Sequence, residues 1–181
     1  PLVVLFHGLE GSSHSPYARS FMRRLERTGW NGVVPHFRGC SGEPNRLPRA
    51  YHSGDAEEIG WILARLACLH PTAPRFAAGV SLGGNALLLW LGTRARDACR
   101  TIDAAAAICP PMDLTAAGHS LGRGFNRVYT RHFLRTLKHN AAAKLRQHPG
   151  LFDLENMLRT TNLYEFDNLV TAPLHGFRNT D

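Results

Sequence analysis

The sequence predicts an α/β fold, in which helices flank a central parallel β-sheet. Short apolar runs rich in β-branched residues alternate with segments of helical periodicity, and this alternation is typical of βαβ units. The second half of the chain differs, because no strand–helix–strand pattern follows Pro110-Pro111. With 181 residues, of which 44% are hydrophobic and 19% charged, the chain can bury one sizeable core.

Four strands and three helices are expected before residue 113. The strands are predicted at Leu2–Phe6, Gly32–Phe37, Phe76–Val80 and Ile102–Cys109. The helices are predicted at Pro16–Arg27, Asp55–Leu69 and Asn85–Arg94. Ser15 can cap the first helix, Pro16 suits its first position and Gly29 can end it. Asp55 places a carboxylate at the start of the second helix, where the helix dipole favours it.

The remainder of the chain is expected to form a helical region over one end of the sheet. We assign residues 1–113 to the sheet core and about 117–170 to a helical lid, within one partial domain of residues 1–181. Residues 119–148 contain seven Lys or Arg and no acid. On one helix, Arg123, Arg127, Arg131 and Arg135 would form a basic stripe, because they recur every four residues. Such a stripe suits weak contact with an anionic membrane surface, but a solvated basic face is the favoured alternative.

Composition excludes several other classes of protein. The net charge is +7, but no nucleic-acid-binding motif is present, so no nucleic acid partner is expected. No apolar run approaches the roughly 20 residues of a transmembrane helix, and no signal peptide follows Pro1. The four cysteines form no CxxC pair, which favours reduced thiols and a cytoplasmic location. The ten histidines form no HExxH pattern, so neither a metal nor another cofactor is expected.

The main catalytic signal is the sequence Gly79-Val80-Ser81-Leu82-Gly83, which matches G-x-S-x-G. It follows a predicted buried strand and precedes a predicted helix, as a nucleophile elbow requires. A serine on such a sharp turn has a strained backbone that lifts its hydroxyl out of the sheet edge. Ser81 is therefore the candidate catalytic nucleophile. A glycine-rich turn with an incidental serine is the alternative.

A second signal follows the first predicted strand, at His7-Gly8-Leu9-Glu10-Gly11. A serine hydrolase stabilises its tetrahedral intermediate with two backbone N–H groups. The residue after the nucleophile supplies one of them, and a loop after an earlier strand supplies the other. Leu82 and Leu9 are therefore the candidate oxyanion-hole residues. We expect His7 and Glu10 to shape the loop rather than to act as an acid–base pair.

Several idiosyncratic segments together resemble one known family. The segments HGLEGSSHSPYAR, HFRGCSGEPNR, YHSGD and GVSLGGN are similar to the YheT-like branch of the α/β-hydrolase superfamily, which includes bacterial esterases and embryogenesis-associated hydrolases. The likeness runs from Pro1 to about Gly176. It implies an α/β-hydrolase fold and a serine carboxylic ester hydrolase that acts on short- to medium-chain acyl esters or acylglycerols. It also implies a Ser–Asp–His triad in that chain order, with Ser81 as the nucleophile.

The other two triad members do not carry over onto this sequence. Asp113 follows the fourth predicted strand, but Asp113-Leu114-Thr115 reads better as a helix N-cap. The histidines from His119 to His175 fall in the helical region. We therefore expect the acid and the base beyond residue 181, in strands that this chain lacks, and little hydrolysis by the chain alone. A non-catalytic binding protein, or a thioester or peptide hydrolase on the same fold, remains the alternative.

Overall fold

The computed structural model describes residues 1–180, which form two compact units. The first unit contains Pro1–Phe37 and His52–Pro111. The second contains Arg38–Tyr51 and the residues from Met112 onward. All strands in the described part of the chain belong to the first unit, and the regular structure of the second is helical.

The first unit is built on a four-stranded parallel sheet with the order β2-β1-β3-β4. Its strands are β1 (Leu2–Phe6), β2 (Asn31–Val33), β3 (Arg75–Val80) and β4 (Ala104–Ile108). Its helices are α1 (Pro16–Arg27), α2 (Ala56–Leu69), α3 (Leu82–Arg94) and α4 (Ala98–Thr101), with a 3-10 turn at Ala95–Asp97. The predicted α/β fold with a parallel sheet is confirmed.

The order of the strands determines where a site can form. The chain leaves β1 for β2 on one side and then crosses to β3 on the other, so β1 pairs with both. In open α/β sheets, ligands bind beyond the carboxyl ends of the strands at such a reversal. Phe6 pairs with Gly79, which brings the end of β1 beside the end of β3.

Hydrophobic burial fixes this central strand pair. All five residues of β1 are buried, as expected for a parallel strand covered on both faces. Leu5 packs with Ala18 of α1 and Ala78 of β3 in one cluster. Burial of each large aliphatic side chain contributes roughly 1.5–3 kcal/mol. A shift of register by one residue would move these side chains to the opposite face of the sheet, so the pairing is strongly specified.

The predicted bounds of the second and fourth strands are wrong. The second strand was expected at Gly32–Phe37, but β2 is Asn31–Val33. Pro35 has no N–H group to donate to a ladder, and pairing with β1 stops at Val33. The fourth strand was expected at Ile102–Cys109 but is Ala104–Ile108, and Cys109 has a φ of 49°, which is incompatible with extended backbone.

The start of α1 also differs in detail from the prediction. Ser15 occupies the N-cap position, but its side chain makes no capping hydrogen bond to the helix. Its hydroxyl instead accepts a hydrogen bond from the Ser12 N–H at 3.1 Å. Pro16 stands in the first turn, as expected. Ser15 therefore stabilises the loop before the helix rather than the helix itself.

The regular structure of the second unit is helical. Its helices are α5 (Leu114–Leu121), α6 (Arg127–Gln147), α7 (Leu154–Arg159), α8 (Leu163–Phe166) and α9 (Ala172–His175), with a 3-10 turn at Gly124–Asn126 and a π-helical turn at Asp167–Thr171. Its core contains Leu134 and Ala141 of α6, packed with Met157, Phe166 and Val170. Its role as a lid remains a prediction.

The basic residues of α6 do not form the predicted four-residue stripe. Arg123 precedes the 3-10 turn with extended backbone, so only Arg127, Arg131 and Arg135 lie on the helix. Gly124, with a φ of 53°, interrupts the helical path between α5 and α6. The periodic spacing of the arginines therefore extended the predicted helix too far towards its amino end.

Two lysines of α6 bind backbone carbonyls within the second unit. Lys138 Nζ donates to the Leu158 and Thr160 carbonyl oxygens, at 2.8 and 2.6 Å, and so satisfies the carboxyl end of α7. Lys144 Nζ donates to the Leu47 carbonyl oxygen at 2.7 Å. Burial lowers the pKa of Lys144, and nearby Arg38 lowers it further. These two cations therefore stabilise the unit rather than forming a basic surface.

Candidate active site

Ser81 lies at the turn between β3 and α3, in an unusual backbone conformation. Its φ is 52° and its ψ is −119°, values that side-chain-bearing residues rarely adopt. Its N–H donates to the Ile108 carbonyl oxygen of β4 at 2.9 Å, which holds the turn against the sheet. Strain of this kind costs about 1–3 kcal/mol and persists only where the surrounding structure enforces it.

The glycines around Ser81 allow very close approach of backbone segments. A Cβ atom on Gly79 would lie 2.5 Å from the Gly83 carbonyl oxygen and 2.6 Å from Gly84 Cα. A Cβ atom on Gly83 would lie 2.5 Å from the His7 carbonyl oxygen and 2.6 Å from that of Phe6. The absence of a side chain at Gly79 thus lets α3 pack closely on β3. The absence of one at Gly83 lets α3 pack closely on the end of β1. Side chains at these positions would force the elbow open.

Gly83 and Gly84 lie inside α3 rather than in a loop before it. The sequence predicted a start at Asn85, but the helix begins at Leu82. The glycines, which usually indicate a turn, are required here by packing. As the first residue of the helix, Leu82 has an N–H group without an intrahelical acceptor. Leu82 directly follows Ser81 in sequence, and its N–H lies at the positive end of the helix dipole.

The loop after β1 contacts the elbow. A Cβ atom on Gly8 would lie 3.4 Å from Ser81 Cβ, so the loop passes directly beside the candidate nucleophile. Leu9 is the next residue. Among the described residues, neither the Leu9 N–H nor the Leu82 N–H donates a hydrogen bond. The structure thus places the loop that contains Leu9 beside Ser81, at the carboxyl ends of neighbouring strands, and Leu82 directly follows Ser81.

His7 is fully buried beneath this loop. Its Nδ1 donates to the Gly8 carbonyl oxygen at 2.8 Å, and its Nε2 accepts the Phe37 N–H at 3.1 Å. The ring also contacts the Phe37 ring edge-on, with 4.8 Å between centroids. Burial lowers the pKa of His7; the bond to Gly8 opposes this shift, and nearby His36 adds to it. With both nitrogens in use and the neutral form favoured, His7 shapes the loop, as the sequence predicted.

Tyr17 also shapes this loop, although sequence reasoning missed it. Its hydroxyl oxygen accepts the Gly8 N–H at 2.9 Å. A Cβ atom on Gly11 would lie 2.9 Å from that oxygen, so Gly11 must remain small. The only signal in the sequence was its place directly after Pro16, at the start of the helix that follows the loop. Tyr17 and His7 together hold the backbone on both sides of Gly8.

No general base is associated with Ser81 in the described part of the first unit. No side chain there hydrogen-bonds the Ser81 hydroxyl, and His36 is bound to the Ser13 hydroxyl at 2.9 Å. Asp113 of the second unit accepts the Ala116 N–H at 2.8 Å, which confirms the predicted N-cap of α5. His175 Nδ1 donates to the Thr171 carbonyl oxygen at 2.7 Å. Neither Asp113 nor His175 is arranged as part of a triad within its own unit.

The described residues offer no cluster of three or more His, Cys, Asp or Glu side chains that could hold a metal ion. The candidate chemistry at the turn is that of the Ser81 hydroxyl, with the Leu9 and Leu82 N–H groups as candidate donors. Such a pair of donors stabilises an oxyanion that forms next to the nucleophile.

Comparison with known proteins identifies the family. The family model described as alpha/beta hydrolase fold matches residues 1–166. The chain belongs to the alpha/beta hydrolase family. The candidate esterase YheT of Escherichia coli is 45% identical over 98% of this chain and 52% of its own length, in agreement with the YheT-like resemblance. The phospholipase ABHD3 of Mus musculus is 31% identical over all of this chain and 44% of its own. The chain thus spans about half the length of these relatives.

A solved structure supports the fold independently. The structure of Est1E from Butyrivibrio proteoclasticus, with bound ferulic acid, superposes with a TM-score of 0.55 at 18% sequence identity. The match covers 69% of this chain and 50% of Est1E. At this level of identity the likeness concerns the fold alone. By sequence, the chain is similar to an esterase and a phospholipase of the family.

Proposed function

We propose that this chain carries the nucleophile and the oxyanion hole of a serine carboxylic ester hydrolase. The observation that supports this most is the strained conformation of Ser81, whose φ is 52° at a strand-to-helix turn where glycines admit the loop after β1. Ser81 is the nucleophile, and the Leu9 and Leu82 N–H groups are the oxyanion donors. The substrates are short- to medium-chain acyl esters or acylglycerols.

In the proposed reaction, Ser81 Oγ attacks the carbonyl carbon of the ester and its proton passes to a general base. The carbonyl oxygen gains negative charge beside the Leu9 and Leu82 N–H groups, which stabilise it. The alcohol leaves with a proton, and water then releases the acid from the acyl-enzyme. The positive end of the α3 dipole supports the same charge.

The general base is a group that the described part of the first unit does not supply. His7 uses both ring nitrogens in other contacts, and His36 uses its Nε2 to bind Ser13. The family resemblance implies an Asp–His pair for this role, and we propose that such a pair acts on Ser81 in the active protein. Without a base, a serine nucleophile loses on the order of 10⁴ to 10⁶ in rate.

The names of relatives support the proposed substrate class. YheT is named as an esterase and ABHD3 as a phospholipase, and hydrolysis of acyl esters is consistent with both names. A catalytically silent binding protein is the competing function. It would keep the elbow for packing but would not react with electrophiles that mimic an ester.

Labelling with a fluorophosphonate probe tests the proposal. The purified protein, expressed from its native gene, is expected to be labelled, and the Ser81→Ala variant is expected to lose the label. Ser20→Ala is the matched control, because Ser20 is exposed on α1 away from the elbow. Absence of labelling in the folded wild type, or labelling that survives in Ser81→Ala, would refute the nucleophile assignment.

Hydrolysis of p-nitrophenyl esters from acetyl to palmitoyl then tests the substrate class. We expect kcat/KM to be highest for p-nitrophenyl esters with short and medium acyl chains and to fall for those with the longest chains. A labelled protein that hydrolyses none of these esters would retain the nucleophile but exclude the substrate class.

A further inference from the structure

An exposed apolar cluster lies at the amino end of α6, in the second unit. Phe125 is 95% exposed, Val128 is 66% exposed and Tyr129 is 62% exposed. These positions follow the i, i+3, i+4 spacing that places side chains on one face of a helical path. No helix in the described part of the chain is long and apolar enough to cross a membrane. Exposure of such a cluster usually marks an interaction site.

Cations surround the cluster. Arg123, Arg127 and Arg131 are all exposed and lie within six residues of Phe125 along the chain. Residues 119–148 contain no acid at all. The acid on α8, the helix that packs on α5, is Glu165, whose carboxylate accepts the Thr161 N–H at 2.7 Å. Residues 114–131, which contain the apolar cluster, thus carry three arginines and no acid.

The turn that presents Phe125 is braced rather than loose. Thr130 is buried, and its hydroxyl donates to the Leu121 carbonyl oxygen at 2.6 Å. The Asn126 side-chain amide donates to the Ser120 carbonyl oxygen at 3.2 Å. Gly124 supplies a φ of 53°, which a side-chain-bearing residue would adopt only with strain. These contacts hold Phe125 outwards instead of allowing it to fold back onto α5.

An open groove of about 640 Å³ adjoins Phe125. Its polar lining includes His119, Ser120 and Arg123. The His119 ring stacks on Tyr164, with 5.8 Å between centroids, which fixes its position at the groove. Donors and a cation beside an apolar side chain match the polar and apolar parts of a phospholipid.

We infer that this face docks onto the surface of an anionic phospholipid bilayer. We call it the docking face and define it by Phe125, Val128, Tyr129 and the three arginines Arg123, Arg127 and Arg131. Phe125 and its two apolar neighbours enter the acyl boundary, while the arginines meet lipid phosphates. The charge of the face favours this occupant over a neutral membrane or an apolar peptide. The inference does not depend on the reactivity of Ser81, so Ser81→Ala is expected to bind vesicles as the wild type does.

Co-sedimentation with vesicles tests the inference on the purified protein. Binding is expected to vesicles of phosphatidylcholine with phosphatidylglycerol, to weaken with added salt, and to be far lower with phosphatidylcholine alone. Phe125→Ala should lower the partition coefficient about tenfold, since it removes the aromatic side chain that is buried in the acyl boundary when the protein is bound. Arg127→Gln and Arg131→Gln should each lower it about fivefold.

Matched variants control for general loss of apolar area or charge. Trp61→Ala removes an aromatic side chain that is 69% exposed on α2, and it should bind as the wild type does. Arg146→Gln changes the same charge on α6, about 22 Å along the helix from Arg131, and should have little effect. Thermal melts of all variants should agree within a few degrees, because each altered side chain is exposed.

Depth of insertion gives a second measurement. A Phe125→Trp variant should show additional emission, relative to the wild type, that lipids brominated in their acyl chains quench. Vesicle binding that ignores lipid charge, or that is equally weakened by Trp61→Ala and Phe125→Ala, would overturn the inference. So would an absence of vesicle binding, which would leave the face to a protein partner.

Discussion

Replacement of Gly83 by alanine tests whether close packing of α3 on β1 shapes the elbow. The new Cβ atom would lie 2.5 Å from the His7 carbonyl oxygen and 2.6 Å from that of Phe6, about 0.9 Å closer than ordinary contact. Both obstacles are backbone atoms at the end of a buried central strand, so neither can rotate away. The amino end of α3 must move instead.

The close contacts at Gly83 make an added methyl group there costly to the stability of the fold. Overpacking in a rigid core costs about 1–3 kcal/mol, and occasionally more. Because backbone blocks the new atom on two sides, we expect Gly83→Ala to lower the free energy of unfolding by about 3 kcal/mol. Gly92→Ala is the matched control, because Gly92 is exposed on the same helix with nothing near its Cβ position. It should raise the free energy of unfolding by about 0.5–1 kcal/mol, since alanine favours the helix.

Urea unfolding followed by circular dichroism and tryptophan fluorescence measures both variants. Gly83→Ala should also slow fluorophosphonate labelling by roughly a hundredfold under native conditions, because a displacement near 1 Å separates the Leu82 N–H from the loop at Leu9. A Gly83→Ala protein within about 1 kcal/mol of the wild type would refute the packing argument. Equal losses in the Gly83 and Gly92 variants would refute it as well.

Two further predictions concern buried polar groups. The pKa of His7 is lowered in the folded state, so stability should fall as pH decreases from the ordinary value of 6.5 towards the folded-state pKa, because the unfolded chain binds the proton first. Urea unfolding between pH 5 and 8 should show a shallower decline for His7→Gln than for wild type, and parallel curves would contradict this. Lys138→Met should lower the free energy of unfolding by about 1–3 kcal/mol, since two carbonyls lose their donor. Arg135→Met, one turn earlier and exposed, should change it by less than about 0.5 kcal/mol, and similar losses in both would contradict the capping role.

The sheet core and the elbow could be predicted because their signals are local. β1 is a continuous apolar run, as parallel strands buried on both faces usually are. The strand–turn–helix context of Ser81 was legible from the apolar residues on either side of the glycines. These features depend on neighbouring residues in sequence, so the sequence alone was sufficient.

Other features depend on contacts that a linear sequence does not display. Gly83 and Gly84 look like a loop, but they lie in a helix because α3 must approach β1 and β3 closely. Tyr17 gives no motif, since its role is defined by a hydrogen bond to Gly8 across the loop. Arg123 matched the spacing of the α6 arginines, yet the helical path is interrupted at Gly124, so Arg123 lies outside α6. In each case tertiary packing or a single glycine overrode the periodic pattern.

The strand order has a consequence for how the protein acquires its site. Leu9 and Leu82 are roughly 70 residues apart, and the strands that precede them, β1 and β3, pair side by side in the sheet. No hairpin or single helix–turn unit contains both amides, so the site is completed by long-range pairing, which is slow because a large loop must close first. During synthesis from the amino end, the loop after β1 therefore cannot reach its final position until β3 and α3 have been synthesised. Covalent capture of Ser81 would therefore report that this pairing has formed only once the general base is also in place.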